Sequence, residues 1–283
     1  MTQDRLTVFI PVKHFHPEFL RQAVQSIFAQ TRDDWKLLIV GDEHAGQDFR
    51  PVIADELKDA RVHVVNRTGR NLAGAYNSAM RLAETDFIAV LLGDDMLAVN
   101  AIESMGNAIS ANREADFFYS GRYFIDERSQ RISADYYPRS PLSLDDFGRT
   151  SPVKHMMCWR VSKGLSVGGV DETLDNFGSD DYDFPWTLLE NGALFVPVPY
   201  QLYQFRDHRE SFRLTTHMTR DVQLAGLRRI MEKHNASPSL IDTRIRMAKR
   251  GFLRQSLFLN PVHRWIRERV GYNPSDGWRE TYK

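Results

Sequence analysis

Phe87-Ile88-Ala89-Val90-Leu91-Leu92-Gly93-Asp94-Asp95 is an apolar run that ends in two carboxylates. Continuous apolarity suits a strand buried on both faces, as in a parallel sheet. In open α/β sheets, ligands bind beyond the carboxyl ends of the strands, which is where this reading sets Asp94 and Asp95. A second acidic cluster, Asp180-Asp181-Tyr182-Asp183, follows further along the chain.

Upstream, Leu6-Thr7-Val8-Phe9-Ile10-Pro11-Val12 reads as a first strand stopped by a polar, proline-containing loop. Phe19, Leu20, Ala23, Val24, Ile27 and Phe28 recur at three- and four-residue spacing and predict a helix from about Pro17 to Gln30. Trp35 to Val40 reads as a strand ended by Gly41-Asp42, Phe49 to Leu57 as a helix, Val62 to Val65 as a strand and Leu72 to Ala83 as a helix. Small residues on that last helix, Gly74 and Ser78 among them, allow close approach to the sheet or a ligand. The alternation implies right-handed crossovers and a mostly parallel sheet with helices on both faces. Neither GxGxxG after the first strand nor GxxxxGK[ST] occurs, so a nucleotide would be gripped in another way.

Downstream, Ala98 to Asn112 predicts a helix, Asp116 to Ser120 a strand, and Arg122 to Ile125 its hairpin partner. Asp126 to Ser151 is rich in proline, serine and charge and reads as an irregular loop over the site. Met156 to Arg160 reads as a strand, Gly168 to Asp171 as a turn, Tyr182 to Asn191 as a helix, and Phe195 to Val198 and Leu202 to Phe205 as two strands. Beyond about Thr215 the pattern becomes helical, over Arg220 to Lys233, Leu240 to Phe258 and Val262 to Val270.

The 37 basic and 37 acidic side chains among 283 residues balance, which argues against a nucleic-acid binder working by bulk electrostatics. A single cysteine, Cys158, allows no intrachain disulfide and no CxxC zinc site, which suits a reducing, cytoplasmic compartment. Met1 to Arg5 does not read as the start of a signal peptide, and no run of eighteen apolar residues occurs.

An Asp pair at a strand end serves as a cap and turn in many proteins. The same pair also suits Mg²⁺ or Mn²⁺ that neutralises a departing nucleoside diphosphate. Asp180, Asp181 and Asp183 complement the dipole of the helix that follows, but three acids in four residues exceed what a cap needs. Crowded carboxylates raise one another's pKa, which suits one of them to general-base work on a hydroxyl. His208 stands alone in sequence, and His14, His16, His44, His155 and His217 read as surface imidazoles, since no HExxH spacing occurs.

Taken in order, Val8 to Val12, Ala23 to Thr31, Leu37 to Asp42, Asn71 to Asn77, Phe87 to Asp95, Gly168-Gly169-Val170-Asp171-Glu172 and Asp180 to Asp183 resemble the family 2 glycosyltransferases. The resemblance covers roughly residues 5 to 213 and implies a nucleotide-sugar-dependent enzyme of the GT-A fold. That is a Rossmann-like α/β fold, here with a helical C-terminal extension. The implied organisation is a catalytic domain over 1–215, with a nucleotide-binding half at 1–95 and an acceptor half at 96–215, followed by the extension at 216–283. The implied reaction is inverting transfer from a nucleotide-diphosphate sugar, a UDP-sugar favoured, to a hydroxyl of a saccharide or lipid-linked saccharide.

By the same resemblance Pro11 and Val12 line the nucleoside pocket, Asp42 bonds the base, and Arg70 and Asn71 approach the nucleotide. Gly93, Asp94 and Asp95 face the donor, and Asp94, Asp95 and His208 hold Mn²⁺ or Mg²⁺. Asp181 is the catalytic base, with Asp180 on the acceptor side. The chain departs from the family pattern at Leu92, where the first Asp of DxD is expected, at Gly41, and at Tyr76, which replaces a common arginine. Two alternatives stand beside this reading. One is a GT-A-fold nucleotide- or sugar-binding protein that no longer transfers. The other is a nucleotidyltransferase, whose glycine-rich loop is here replaced by His14-Phe15-His16-Pro17.

Tyr136, Tyr137 and Trp159 suit either stacking on an acceptor sugar or the core. Between Asp242 and Gly271, Arg244, Arg246, Lys249, Arg250, Arg254, Arg264, Arg267 and Arg269 face only Asp242 and Glu268 and are interleaved with apolar residues. This suits peripheral contact with the inner face of a membrane, matching a lipid-linked acceptor. It equally suits a solvated basic face on helices packed against the catalytic domain or a second subunit of a homo-oligomer.

Overall fold

The computed structural model describes residues 6–140, 142–174, 177–208 and 219–259. The chain divides into two compact units, Met1–His217 and Met218–Lys283.

The first unit is built on one eight-stranded sheet: β1 (Leu6–Val12), β2 (Lys36–Gly41), β3 (Val62–Asn66), β4 (Phe87–Val90), β5 (Met96–Leu97), β6 (Phe117–Ile125), β7 (Met157–Arg160) and β8 (Phe195–Arg206), in the order β3-β2-β1-β4-β7-β6-β8-β5. From β3 to β4 every pairing is parallel, with Val12 opposite Gly41 and Gly41 opposite Asn66, so these strands end together at one edge. Beyond β4 the sheet is mixed: β7 is antiparallel to both β4 and β6, β6 and β8 are parallel, and β5 is antiparallel to β8. The parallel character expected from the alternation of the first ninety-five residues holds from β3 to β4, and the rest of the sheet is mixed.

Helices α1 (Pro17–Phe28), α2 (Asn71–Leu82) and α3 (Ala101–Ala111) connect the early strands, and the shorter α4 (Leu144–Arg149), α5 (Val161–Ser166) and α6 (Phe184–Glu190) serve the later ones. Leu20, Ala23, Val24 and Ile27 of α1 are buried with Val8, Ile10, Leu37 and Ile39 in a single core, and Phe19 is buried as well. Burial of each such side chain is worth about 1.5–3 kcal/mol, which outweighs the entropic cost of fixing it.

Three expected elements differ. Phe49 to Leu57 forms two short 3₁₀ turns, Arg50–Ile53 and Glu56–Lys58, rather than one helix. The expected hairpin at Ser120-Gly121 is instead a bulge inside one nine-residue strand, β6. Gly121 is required there because a Cβ would meet the Tyr136 carbonyl oxygen at 2.3 Å. The two expected strands from Phe195 to Phe205 are likewise one strand, β8, which absorbs the partner's register shift around Pro199-Tyr200.

In the second unit, α7 (Arg220–Lys233) starts at Thr219, whose hydroxyl accepts the Val222 N–H, and α8 (Pro238–Leu259) follows. Arg228 of α7 pairs with Asp242 of α8 at 3.3 Å. Among the described residues, no helix is long and apolar enough to cross a membrane. The third expected helix, Val262 to Val270, and the basic residues beyond Leu259 lie outside the described residues.

Candidate active site

The parallel half of the sheet collects the expected donor residues at its carboxyl edge. Asp42 donates its backbone N–H to the Val12 carbonyl at 3.1 Å, joining the ends of β1 and β2. Its carboxylate accepts from Arg67 Nη2 at 2.6 Å and from the His44 N–H at 3.1 Å. Burial pushes this carboxyl up, but the Arg67 and His44 bonds and the charges of Arg67 and Lys13 hold it below the usual range. Gly93 lies against the same edge, where a Cβ would stand 3.5 Å from Leu20 and 4.0 Å from the Pro11 carbonyl.

Glu172 fixes the loop from Arg67 to Asn71. Its Oε2 accepts the Arg70 N–H at 2.7 Å and its Oε1 accepts Asn77 Nδ2 at 3.0 Å, while Asn77 Oδ1 accepts the Val170 N–H at 2.8 Å. Gly69, at φ +85°, has no room for a Cβ, which would fall 2.5 Å from Glu172. The GGVDE segment thus clamps the start of α2. That leaves the Arg70 side chain exposed and puts Asn71 at φ 54°.

The two acids after β4 face different ways. Asp95 is 1% exposed, and accepts the Tyr203 hydroxyl at 2.7 Å on Oδ2 and the Arg206 N–H at 2.7 Å on Oδ1. Both its oxygens are engaged inside the protein. Burial and the neighbouring Asp94 push its carboxyl well above the usual range. Asp94 instead meets His208 across 2.9 Å, with 22% of its side chain exposed.

Arg206, fully buried, locks the turn. It donates Nε to the Asp94 carbonyl, Nη1 to the Asp126 carbonyl and Ser129, and Nη2 to Gln22 of α1, all within 3.0 Å. Sequence reading missed it, although a charged residue at the end of the apolar stretch Leu202 to Phe205 is the signal that could have found it.

Among the described residues, no three His, Cys, Asp or Glu side chains gather into a metal site. The Asp94 carboxylate and the His208 imidazole make a two-donor set of hard oxygen and nitrogen. That fits Mg²⁺ or Mn²⁺ completed by phosphate oxygens and water.

The second acidic cluster sits on one π-helical turn, Ser179–Asp183, closed by the Asp183 N–H on the Gly178 carbonyl at 2.7 Å. Such turns recur at functional sites. Ser151 holds the turn by donating to the Asp181 carbonyl at 2.8 Å, and the Tyr182 hydroxyl donates to the Phe147 carbonyl at 2.7 Å. Asp180 is buried and accepts the Tyr76 hydroxyl at 3.1 Å. Asp181 is half-buried, and its side chain accepts no hydrogen bond among the described residues.

Between the two acidic clusters stand His155 and Tyr203, with ring centroids 5.3 Å apart. Tyr203 reaches Asp95, and His155 feels the charges of both Asp181 and Asp94. Arg122 of β6 adds a buried guanidinium that feels Asp181 and Asp95, its carbon 4.7 Å from the Phe205 ring centroid. Trp159 is no acceptor platform: it is fully buried and stacks on Tyr76 and Phe117. Tyr137 is 65% exposed, and Tyr136 bridges to Arg122 in the sheet.

The chain matches the family model described as Glycosyl transferase family 2 over residues 7–167. It is 28% identical to Protein CgeD of Bacillus subtilis, over 64% of this chain and 45% of that protein. It is 29% identical to the UDP-Glc:alpha-D-GlcNAc-diphosphoundecaprenol beta-1,3-glucosyltransferase WfgD of Escherichia coli, over 69% of this chain and 70% of that protein. The chain spans 45%, 20% and 20% of the length of three of the curated relatives it matches. The crystal structure of S. aureus TarS 1-349 in complex with UDP-GlcNAc matches at a TM-score of 0.60 and 13% identity, over 90% of this chain and 73% of that one. At that identity the likeness shows a shared fold, the GT-A fold expected from the sequence.

Proposed function

Given that this chain belongs to glycosyl transferase family 2, we propose that it transfers a sugar, with inversion, from a UDP-sugar to a hydroxyl of a saccharide or lipid-linked saccharide. The observation that carries the proposal is Asp181: a half-buried carboxylate that accepts no hydrogen bond among the described residues, on a turn held from three sides, across His155 and Tyr203 from the Asp94–His208 pair. In the proposed reaction Asp181 takes the proton of the acceptor hydroxyl while that oxygen attacks the anomeric carbon. The bond from that carbon to the diphosphate oxygen breaks, and the electron pair leaves with the diphosphate.

Pro11, Val12 and Gly93 line the nucleoside side, and Asp42, held by Arg67, fixes the base. Arg70 and Asn71, presented by the Glu172 clamp, approach the phosphates. Mn²⁺ or Mg²⁺ held by Asp94 and His208 would neutralise the charge that develops on the leaving diphosphate. Positioning and electrostatics supply most of the acceleration in such a site. Asp180 and the segment from Asp126 to Ser151, which touches Asp181 through Ser151, form the acceptor side. A lipid-linked acceptor agrees with the name of the E. coli relative and with a basic segment 242–271 resting on the inner membrane face.

The test is a thermal-shift panel of UDP-, GDP-, dTDP- and CMP-sugars with and without Mn²⁺. A donor at a hundred times its dissociation constant stabilises the fold by about 2.7 kcal/mol. The expected result is a Mn²⁺-dependent shift with a UDP-sugar and not with the others. A shift with no nucleotide sugar would overturn the proposal. Binding without release of UDP to any acceptor would favour the non-transferring sugar-nucleotide binder.

A further inference from the structure

Arg206 ends β8 with its side chain fully buried, and the hydrogen bonds of its guanidinium fan out to three separate segments. Nε donates to the Asp94 carbonyl at 2.7 Å, in the turn after β4. Nη1 donates to the Asp126 carbonyl at 2.9 Å and to Ser129 Oγ at 3.0 Å, in the turn after β6. Nη2 donates to Gln22 Oε1 of α1 at 2.7 Å, and the Phe19 ring of the same helix has its centroid 4.5 Å from the guanidinium carbon. Ser129 Oγ in turn donates to Gln22 Oε1 at 3.0 Å, so guanidinium, hydroxyl and amide form a closed triangle.

Two costs meet at this junction. Every acceptor of the guanidinium is a neutral oxygen, and a buried charge without a bonded carboxylate is expensive. Ser129 also holds a left-handed φ of 61°, a strain that persists only where the surroundings over-determine it. If stability alone were at stake, apolar side chains of similar volume would serve as well or better. What they lack is direction: a planar fork that fixes several backbones at once. The backbones fixed here belong to the metal pair. Arg206 bonds the Asp94 carbonyl directly, and His208 follows it by two residues, with the Asp207 N–H between them tied to the Ile125 carbonyl at 2.8 Å.

We propose that Arg206 is a positioning residue for the metal, holding Asp94 and His208 face to face and fixing both against α1 and the turn from Asp126 to Ser129. This rests on the reading of Asp94 and His208 as metal donors. The work of Arg206 is directional, so a lysine, which keeps the charge and loses the fork, does not replace it. The same bonds anchor the segment on the acceptor side, at its first four residues, to the turn that carries Asp94.

The experiment is a calorimetric titration of UDP into the full chain, with and without Mn²⁺, which needs no turnover. Mn²⁺ should tighten UDP binding in the wild type. In Arg206→Lys that gain should shrink by about tenfold or be lost, as when a group orienting a metal ligand is removed. The dissociation constant without metal should stay within about twofold of wild type. Gln22→Ala and Ser129→Ala each remove one acceptor from the fan at a partly exposed position, and keep the test open if Arg206→Lys does not fold. Each should lose about two- to threefold of the same gain, the worth of one neutral hydrogen bond. Equal losses with and without Mn²⁺ would show a merely structural role and overturn the proposal, as would a gain undiminished in all three variants. A wild type that binds no UDP, or binds it equally well without Mn²⁺, overturns the underlying donor and metal reading instead, and the wild type alone decides that.

Discussion

The site holds two pairs of adjacent aspartates, and each pair divides its labour by turning one acid inward. At Asp94-Asp95 the second acid is buried; at Asp180-Asp181 the first is. The support given to the buried member differs. Asp95 receives a tyrosine hydroxyl and a backbone N–H, both at 2.7 Å, on separate oxygens. Asp180 receives one tyrosine hydroxyl at 3.1 Å, the backbone N–H groups of its own turn also favour its ionised form, and an imidazole stops short at 3.9 Å. The short bonds from Tyr203 and Arg206 tie Asp95 to β8 and make it part of the frame beside Asp94, while Asp180 lies next to the acid that we propose does the chemistry. Adjacent carboxylates in a sequence are therefore not interchangeable, and which one works is settled by what lies beneath the other.

The largest expected effect lies within the second pair. Asp181→Asn should lower kcat/KM by about 10²–10⁴, the usual worth of a general base. Asp180→Asn should cost only a few-fold at neutral pH. Equal losses in steady-state assays of the two variants would break the division of labour.

A smaller effect tests the first pair. Tyr203→Phe removes the hydroxyl that serves Asp95 and also accepts the Leu92 N–H at 3.1 Å. Leaving these buried groups unsatisfied should cost about 1–3 kcal/mol of stability. It should also raise the KM for donor with kcat little changed. An unaltered unfolding midpoint together with an unaltered KM would mean that Asp95 is not the frame for Asp94.

The sequence was most readable where one local rule decides the outcome. β1, β2 and β4 are apolar runs because both faces are covered, and the stripe of α1 from Phe19 to Ile27 is the inner face of a helix, so the ordered motifs and the family could be recognised. Reading failed where a long-range contact overrides a local cue. Ser120-Gly121 looks like a turn, but Gly121 is there to let the Tyr136 backbone pass, and Pro197 and Pro199 look like breaks although β8 runs through them.

The same division holds in the site. Asp94 and Asp181 were legible as acids at a strand end and in a cluster. The fate of Asp95 was not, because Tyr203 and Arg206 reach it across more than a hundred residues of sequence. Glu172, placed by its motif, gave no sign of its work as a clamp, and His155, which reads as a surface imidazole, is buried because the chain leading into β7 passes beneath Tyr203.

The smallest effect, a change in how stability depends on pH, sharpens the contrast between the locked and the titratable acid. Asp180 sits at about 7 in the fold against an ordinary 3.8, so between these values the folded state keeps a proton that the unfolded chain releases. Stability supplied at low pH is lost as pH rises through that window. His155 acts in the opposite sense: at about 4 in the fold against 6.5, it makes stability fall as pH drops from 6.5 toward 4, because the unfolded chain gains the proton first. The two slopes oppose each other over roughly pH 4 to 6.5, which conceals both in the native protein. Relative to wild type, Asp180→Asn should become more stable on going from pH 4.5 to 6.5 and His155→Gln less stable, each by a few degrees in unfolding midpoint at most. Shifts of the same sign in both variants would mean that the imidazole and the carboxyl share one proton as a single group, and that Asp180 is locked as firmly as Asp95.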